Sequence, residues 1–141
     1  LAYCAHVGDS RLYLTRNDSI YRMTEDHTIR RELEIEGCIA GDVSNSAVET
    51  SLITRAMGIN KSIKVDTWTY GFPVKVNDKF LLCSDGLTDM LSDDEIKLII
   101  LNNSWKTVCK KLIDKAKENG GYDNISVIIA YLASPQNNRL L

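Results

Sequence analysis

Hydrophobic and polar positions near the start of the chain come in short runs broken by turn residues. Residues 1–7 form an apolar, partly β-branched and aromatic run that ends at Gly8-Asp9-Ser10. Residues 11–15 resume a strand pattern, and the two runs together predict a hairpin. Asn17-Asp18 marks a second turn and residues 19–23 a third strand. From Thr24 the period changes. Ile29, Leu33 and Glu36 fall at helical spacing with charges between them and Gly37 stops the run, which predicts a short amphipathic helix. Residues 41–50 are small and polar and predict a mobile surface loop, followed by a weakly patterned stretch over 51–57.

The second half is more strongly patterned. Residues 63–70 alternate as a strand does, and residues 79–83 are a compact apolar run of the kind found at the centre of a sheet. That run stops at Ser84-Asp85-Gly86. A helix is predicted from Ser92, whose hydroxyl can cap it while Glu95 completes a capping box. Trp105, Val108, Cys109, Leu112, Ile113 and Ala116 then form one apolar stripe of a further helix, ended by Gly120-Gly121. Lys106, Lys110, Lys111, Lys115 and Lys117 lie opposite and read as a solvated face rather than a phosphate-binding stripe. Residues 125–132 are a last apolar strand. Strands first, helices inserted and a strand at the end predict an α+β layered domain with antiparallel sheet.

Composition narrows the class. A chain of 141 residues makes about one domain, burying roughly two-thirds of its unfolded surface. Apolar residues at 44% and charged residues at 26% suit a globular fold rather than disorder. Seventeen basic against nineteen acidic residues give a net charge of −2, which disfavours nucleic acid as a partner. The longest apolar run, residues 127–133, falls far short of the roughly 20 residues of a membrane-spanning helix, so no membrane partner is expected. The chain starts at Leu1 with no basic-then-apolar leader, and a targeting segment is expected to be absent or removed. Cys4, Cys38, Cys83 and Cys109 are widely spaced in mostly apolar segments, which suggests unpaired thiols in a reducing cytoplasm.

The candidate chemistry lies in aspartates. Asp9 follows the strand-like run ending at Val7, Asp85 follows the run ending at Cys83, and Asp123 precedes the last run. If the strands of Asp85 and Asp123 are antiparallel, both carboxylates reach the same rim of the sheet, and Asp89 projects there one helical turn beyond Asp85. Acids crowded at one rim repel each other, and a hard divalent cation such as Mg²⁺ or Mn²⁺ relieves the repulsion. Zinc is disfavoured, because His6 and His27 read as structural hydrogen-bonding residues and no cysteine cluster is present. Spacing alone leaves the alternative open that these aspartates are ordinary turn and cap residues.

Five blocks extend the picture. They are Ala5-His6-Val7-Gly8-Asp9-Ser10-Arg11, Met23-Thr24-Glu25-Asp26-His27, Ile53-Thr54-Arg55-Ala56-Met57-Gly58, Leu82-Cys83-Ser84-Asp85-Gly86-Leu87-Thr88-Asp89 and Gly120-Gly121-Tyr122-Asp123-Asn124-Ile125-Ser126. In this order and spacing the chain, from Leu1 to about Leu132, resembles the protein phosphatase 2C family, in particular its bacterial members.

The resemblance implies part of an αββα sandwich, antiparallel sheets flanked by helices, with the N-terminal portion missing. Asp85 and Asp123 match ligands of a metal pair whose bound water attacks a phosphoserine or phosphothreonine, and Asp9 and Asp89 match, with Asp85, the ligands of a further, weaker ion. Asn124 accompanies Asp123, and Gly86 follows Asp85. Two or three Mg²⁺ or Mn²⁺ ions and phosphorylated protein substrates are implied. Residues 28–51 resemble the flap beside the active site, where substrate choice would reside, within a domain over 1–134 followed by a tail over 135–141. The family's upstream Asp-Gly-x-Gly-Gly block, its phosphate-holding arginine and its proposed acid histidine are not in this sequence. The expectation is therefore a chain inactive alone, in the cytoplasm, prone to dimerise through the sheet edge left open. The alternative is a non-catalytic phosphatase-like binding or sensor module.

Overall fold

The computed structural model describes residues 1–37, 52–59 and 61–134. In chain order these form β1 (Ala5–His6), β2 (Arg11–Arg16), β3 (Ser19–Arg22), α1 (Ile29–Ile35), β4 (Asp66–Thr67), β5 (Lys79–Cys83), α2 (Asp85–Thr88), α3 (Asp93–Asn102), α4 (Val108–Glu118) and β6 (Val127–Tyr131). Local chemistry explains most boundaries. Asn17 and Asp18 take φ of 50° and 58° in the two-residue turn that joins β2 to β3. Thr28 Oγ1 accepts from the Arg31 N–H at the start of α1, and Ser92 and Glu95 close the reciprocal capping box of α3. The loop predicted over 41–50 and the tail over 135–141 lie outside the described residues.

The larger sheet has the order β3-β2-β5-β6, every pair antiparallel. Tyr13 pairs with Leu81 and Leu81 with Ile129, so the apolar run over 79–83 is paired on both sides, as a central strand must be. Alternation sorts its residues onto two faces. On one face Tyr13, Leu81 and Cys83 pack against Leu87, Ile96, Val108 and Leu112 of the helices. On the other, Leu12, Leu14 and Phe80 meet Met23, Trp68 and Phe72 beneath the two-stranded β1–β4 sheet. The order helices, large sheet, small sheet is the layered α+β arrangement the pattern predicted.

Several local expectations are corrected. The runs over 1–7 and 11–15 are not a hairpin: Ala5 pairs with Thr67 and His6 with Asp66, so β1 belongs to the other sheet. The turn through Gly8, at φ +101°, sends the chain from one sheet to the next. The strand predicted over 63–70 shrinks to β4, and the first run to β1 plus a single bridge from Ala2 to Phe72. Trp105 is not on the α4 stripe. Ser104 O accepts from the Thr107 and Val108 N–H groups, the helix begins at Val108, and Trp105 stays 56% exposed with Lys106 Nζ 5.4 Å above its ring. Cys4, Cys83 and Cys109 are free thiols, and burial pushes Cys83 up to about 11.

The second face is only partly covered. Leu82 and Ile128, neighbours across β5 and β6, are 45% and 64% exposed. They line a groove of about 460 Å³ together with Cys4, Val7 and Leu12. Among the described residues no helix is long and apolar enough to cross a membrane.

A buried ion pair closes the far end of the sheet. Asp78 accepts from Arg16 Nε at 2.8 Å, Arg16 Nη2 at 2.6 Å and the Lys75 N–H at 2.7 Å. The Arg16 guanidinium holds the Asp78 carboxyl below the usual carboxylate range. A depressed folded-state value contributes stability above the unfolded value near about 4, and that contribution is lost as pH falls through the folded value. Asp78→Asn is therefore expected to destabilise the protein at pH 7, with the gap to wild type narrowing below about pH 4, as urea unfolding at both pH values will show. Leu112→Ala, at a fully buried position, is expected to cost about 2–5 kcal/mol in the same assay.

Candidate metal centre

The β5–β6 pairing builds the rim. Cys83 opposite Val127 is its last ladder pair, and Ser84 N–H then donates to Ser126 O at 3.0 Å. Ser84 Oγ donates to Asn124 O and accepts from the Ser126 N–H, both at 3.0 Å. Asp85 leaves one strand end where Asp123 enters the other, as the antiparallel argument required. Gly86 is obligatory here, because a Cβ at this position would collide with the Asn124 carbonyl. Each acid also caps its successor: Asp85 Oδ1 accepts from the Gly86 N–H at 2.8 Å and Asp123 Oδ1 from the Asn124 N–H at 2.6 Å.

Asp89 caps α2 with its N–H on Asp85 O at 2.8 Å. Asp9, Asp26, Asp85 and Asp89 then line one cavity of about 390 Å³ with Arg11 and Arg30. Asp123 does not line this cavity, but its charge reaches Asp89. Burial first, and the Asp85 charge second, push Asp9 and Asp89 above the usual carboxylate range. Arg11 is committed elsewhere: its Nε and Nη2 hold Asp26 at 3.1 and 2.8 Å, and Arg22 Nη2 completes the cluster at 2.6 Å from Asp26.

Hard oxygen donors crowded at one rim fit Mg²⁺ or Mn²⁺ in kind. They do not fit in number: among the described residues no group of three His, Cys, Asp or Glu side chains is placed to hold a metal ion by itself. The donor set is that of a partial centre. Sequence reasoning missed Asp26 as a lining residue, although it stands beside His27 in the block Met23-Thr24-Glu25-Asp26-His27. Its signal was the Arg11 partnership, which needs the fold to be seen. Of the flap expected over 28–51 only residues 28–37 are described, and they place Thr28 and Arg30 on the cavity wall.

Residues 2–125 match the protein family described as protein phosphatase 2C. The chain belongs to that family. It is similar to the serine/threonine phosphatase stp of Listeria innocua, 38% identical over 128 residues, which cover 89% of this chain and 49% of that protein. The serine/threonine phosphatase of S. agalactiae superposes with a TM-score of 0.85 at 30% identity, over 92% of this chain and 53% of that one. The catalytic domain of the serine/threonine protein phosphatase PstP, in complex with two manganese ions, superposes with a TM-score of 0.74 at 28% identity, over 94% and 54% respectively. This protein phosphatase 2C chain thus spans about half the length of the Listeria protein it matches.

The close approach at Gly86 carries a consequence for both stability and site. Gly86→Ala is expected to push the Asp123-Asn124 turn away from α2, costing about 1–3 kcal/mol in thermal unfolding.

Proposed function

We propose that this chain provides part of the metal centre of a Mg²⁺- or Mn²⁺-dependent protein serine/threonine phosphatase. The observation that carries the reading is the antiparallel β5–β6 rim, where Asp85 leaves one strand end and Asp123 enters the other, with Asp9 and Asp89 lining a cavity beside Asp85. Asp85 and Asp123 hold the principal ions, and Asp9 with Asp89 a further, weaker one, two or three ions in all. The ions, when bound, acidify water for attack on phosphorus and neutralise the phosphate oxygens. Asn124 and Gly86 keep the two aspartate-bearing turns in register. Residues 28–51 select among phosphorylated proteins, and Thr28 and Arg30 are the described flap residues on the wall of the acidic cavity.

The remaining ligands come from the part of the relatives' length that this chain does not span, and without them the chain is inactive. The half-covered sheet face at Leu82 and Ile128 meets that same part, and left open it favours dimerisation. Three free thiols among the described residues support a reducing, cytoplasmic setting. A second reading, a phosphatase-like binding or sensor module, draws on the lack of three converging ligands among the described residues.

Turnover separates the two readings. In the full-length protein with saturating Mn²⁺, Asp85→Asn is expected to lower hydrolysis of a phosphothreonine peptide by several orders of magnitude. Near wild-type turnover in that variant would sink the metal assignment, and an inactive wild type would favour the binding module.

A further inference from the structure

Asp85 and Asp123 sit at the ends of paired strands, whereas Asp9 lies on a turn that crosses from the small sheet to the large one. No ladder fixes that turn, and the Asp85 charge pushes against it. Two histidines hold it instead, one on each side of Asp9. His27 is 4% exposed, and its Nδ1 accepts from the Gly8 N–H at 3.1 Å while its own N–H donates to Gly8 O at 2.9 Å. Both backbone polar groups of Gly8 therefore end on one residue. An accepting Nδ1 leaves the ring proton on Nε2, which donates to Asp66 Oδ2 at 3.1 Å. Asp66 is braced in turn by Arg55 Nη1 on Oδ1 at 3.1 Å.

His6 works on the other side. Its Nε2 donates to the Ser10 carbonyl at 2.8 Å, and its ring lies 4.8 Å from that of His27, centroid to centroid. The β1–β4 register sets His6 opposite Asp66, so the two imidazoles and the carboxylate form one unit. Both ring nitrogens of His27 face protein atoms, which fits holding rather than proton transfer to a substrate.

We propose that His27 and His6 are positioning residues: a two-histidine clamp on Gly8 and Ser10 that holds the Asp9 carboxylate in place to bind a divalent cation. The inference rests on the metal reading above and deepens it. The pairing resembles the way a hydrogen-bonded outer partner orients a ligand, except that the grip here is on the ligand's flanking backbone.

The test is Mn²⁺ titration calorimetry on the full-length protein, with thermal unfolding as the control for folding. Asp9→Asn and His27→Leu are each expected to weaken the same class of Mn²⁺ sites by about 10–100-fold, the range seen for outer-shell partners. The double variant should bind no worse than Asp9→Asn alone, because both changes remove one contribution. His27→Asn, whose Oδ1 can accept the Gly8 N–H in place of Nδ1, should recover part of the affinity. His6→Phe keeps the ring packing and loses the Ser10 bond; it should weaken the same sites, and it decides the matter if His27→Leu fails to fold. The clamp is overturned if both histidine variants bind Mn²⁺ as wild type does, if Asp9→Asn has no effect, or if the losses add in the double variant. A wild-type protein that binds no Mn²⁺ overturns the metal reading itself, and the clamp with it.

Discussion

The structure depends on the double pairing of β5. A five-residue apolar strand with β2 on one side and β6 on the other satisfies its backbone within the sheet and sends alternate side chains to opposite faces. Leu81 and Cys83 thereby build the core under the helices, and Phe80 the core under the small sheet. The same pairing determines where the chain stops being a strand. Beyond Cys83 the hydrogen bonds pass to Ser84 and Ser126, α2 begins at once, and the aspartates flanking those serines are delivered to one rim.

Holding acids together works against electrostatics, and the molecule offsets this in two ways. Asp26, the fourth acid of the cavity, is neutralised by Arg11 and Arg22. Asp85 and Asp123 are each held by the N–H of the next residue and by the Ser84–Asn124 contact, so their turns cannot swing apart to relieve repulsion. The Asp9 carboxyl takes a local hydrogen bond only from its own backbone N–H, which does not fix the turn to a neighbouring strand. Its turn is held by groups remote in sequence, His6 and His27 supported by Asp66 and Arg55, and in this way the small sheet supports a site that lies on the large one.

Much of this was legible along the chain because it rests on local rules. The Ser92-Glu95 box, the Asn17-Asp18 turn, the central run over 79–83 and the Leu112 stripe are all written in periodicity and capping chemistry, and each forms where expected. The reading failed where partners are distant. Strand character in residues 1–7 says nothing of which strand they join, and nearness in sequence favoured β2 over β4. Trp105 has the right spacing for the α4 stripe, but the Ser104–Thr107 turn starts the helix too late to include it.

The sequence by itself determined the antiparallel α+β class and most element types, since these follow from residue type and short-range spacing, and it singled out Asp9, Asp85, Asp89 and Asp123 as candidate ligands through their spacing and the family resemblance. Only the tertiary structure decided which of them share a cavity, that Asp26 joins them, that Arg11 is already taken, and that two histidines hold the Asp9 turn. Such features depend on contacts between segments tens of residues apart, and no local propensity encodes the distance or direction in which a side chain meets a partner from another sheet.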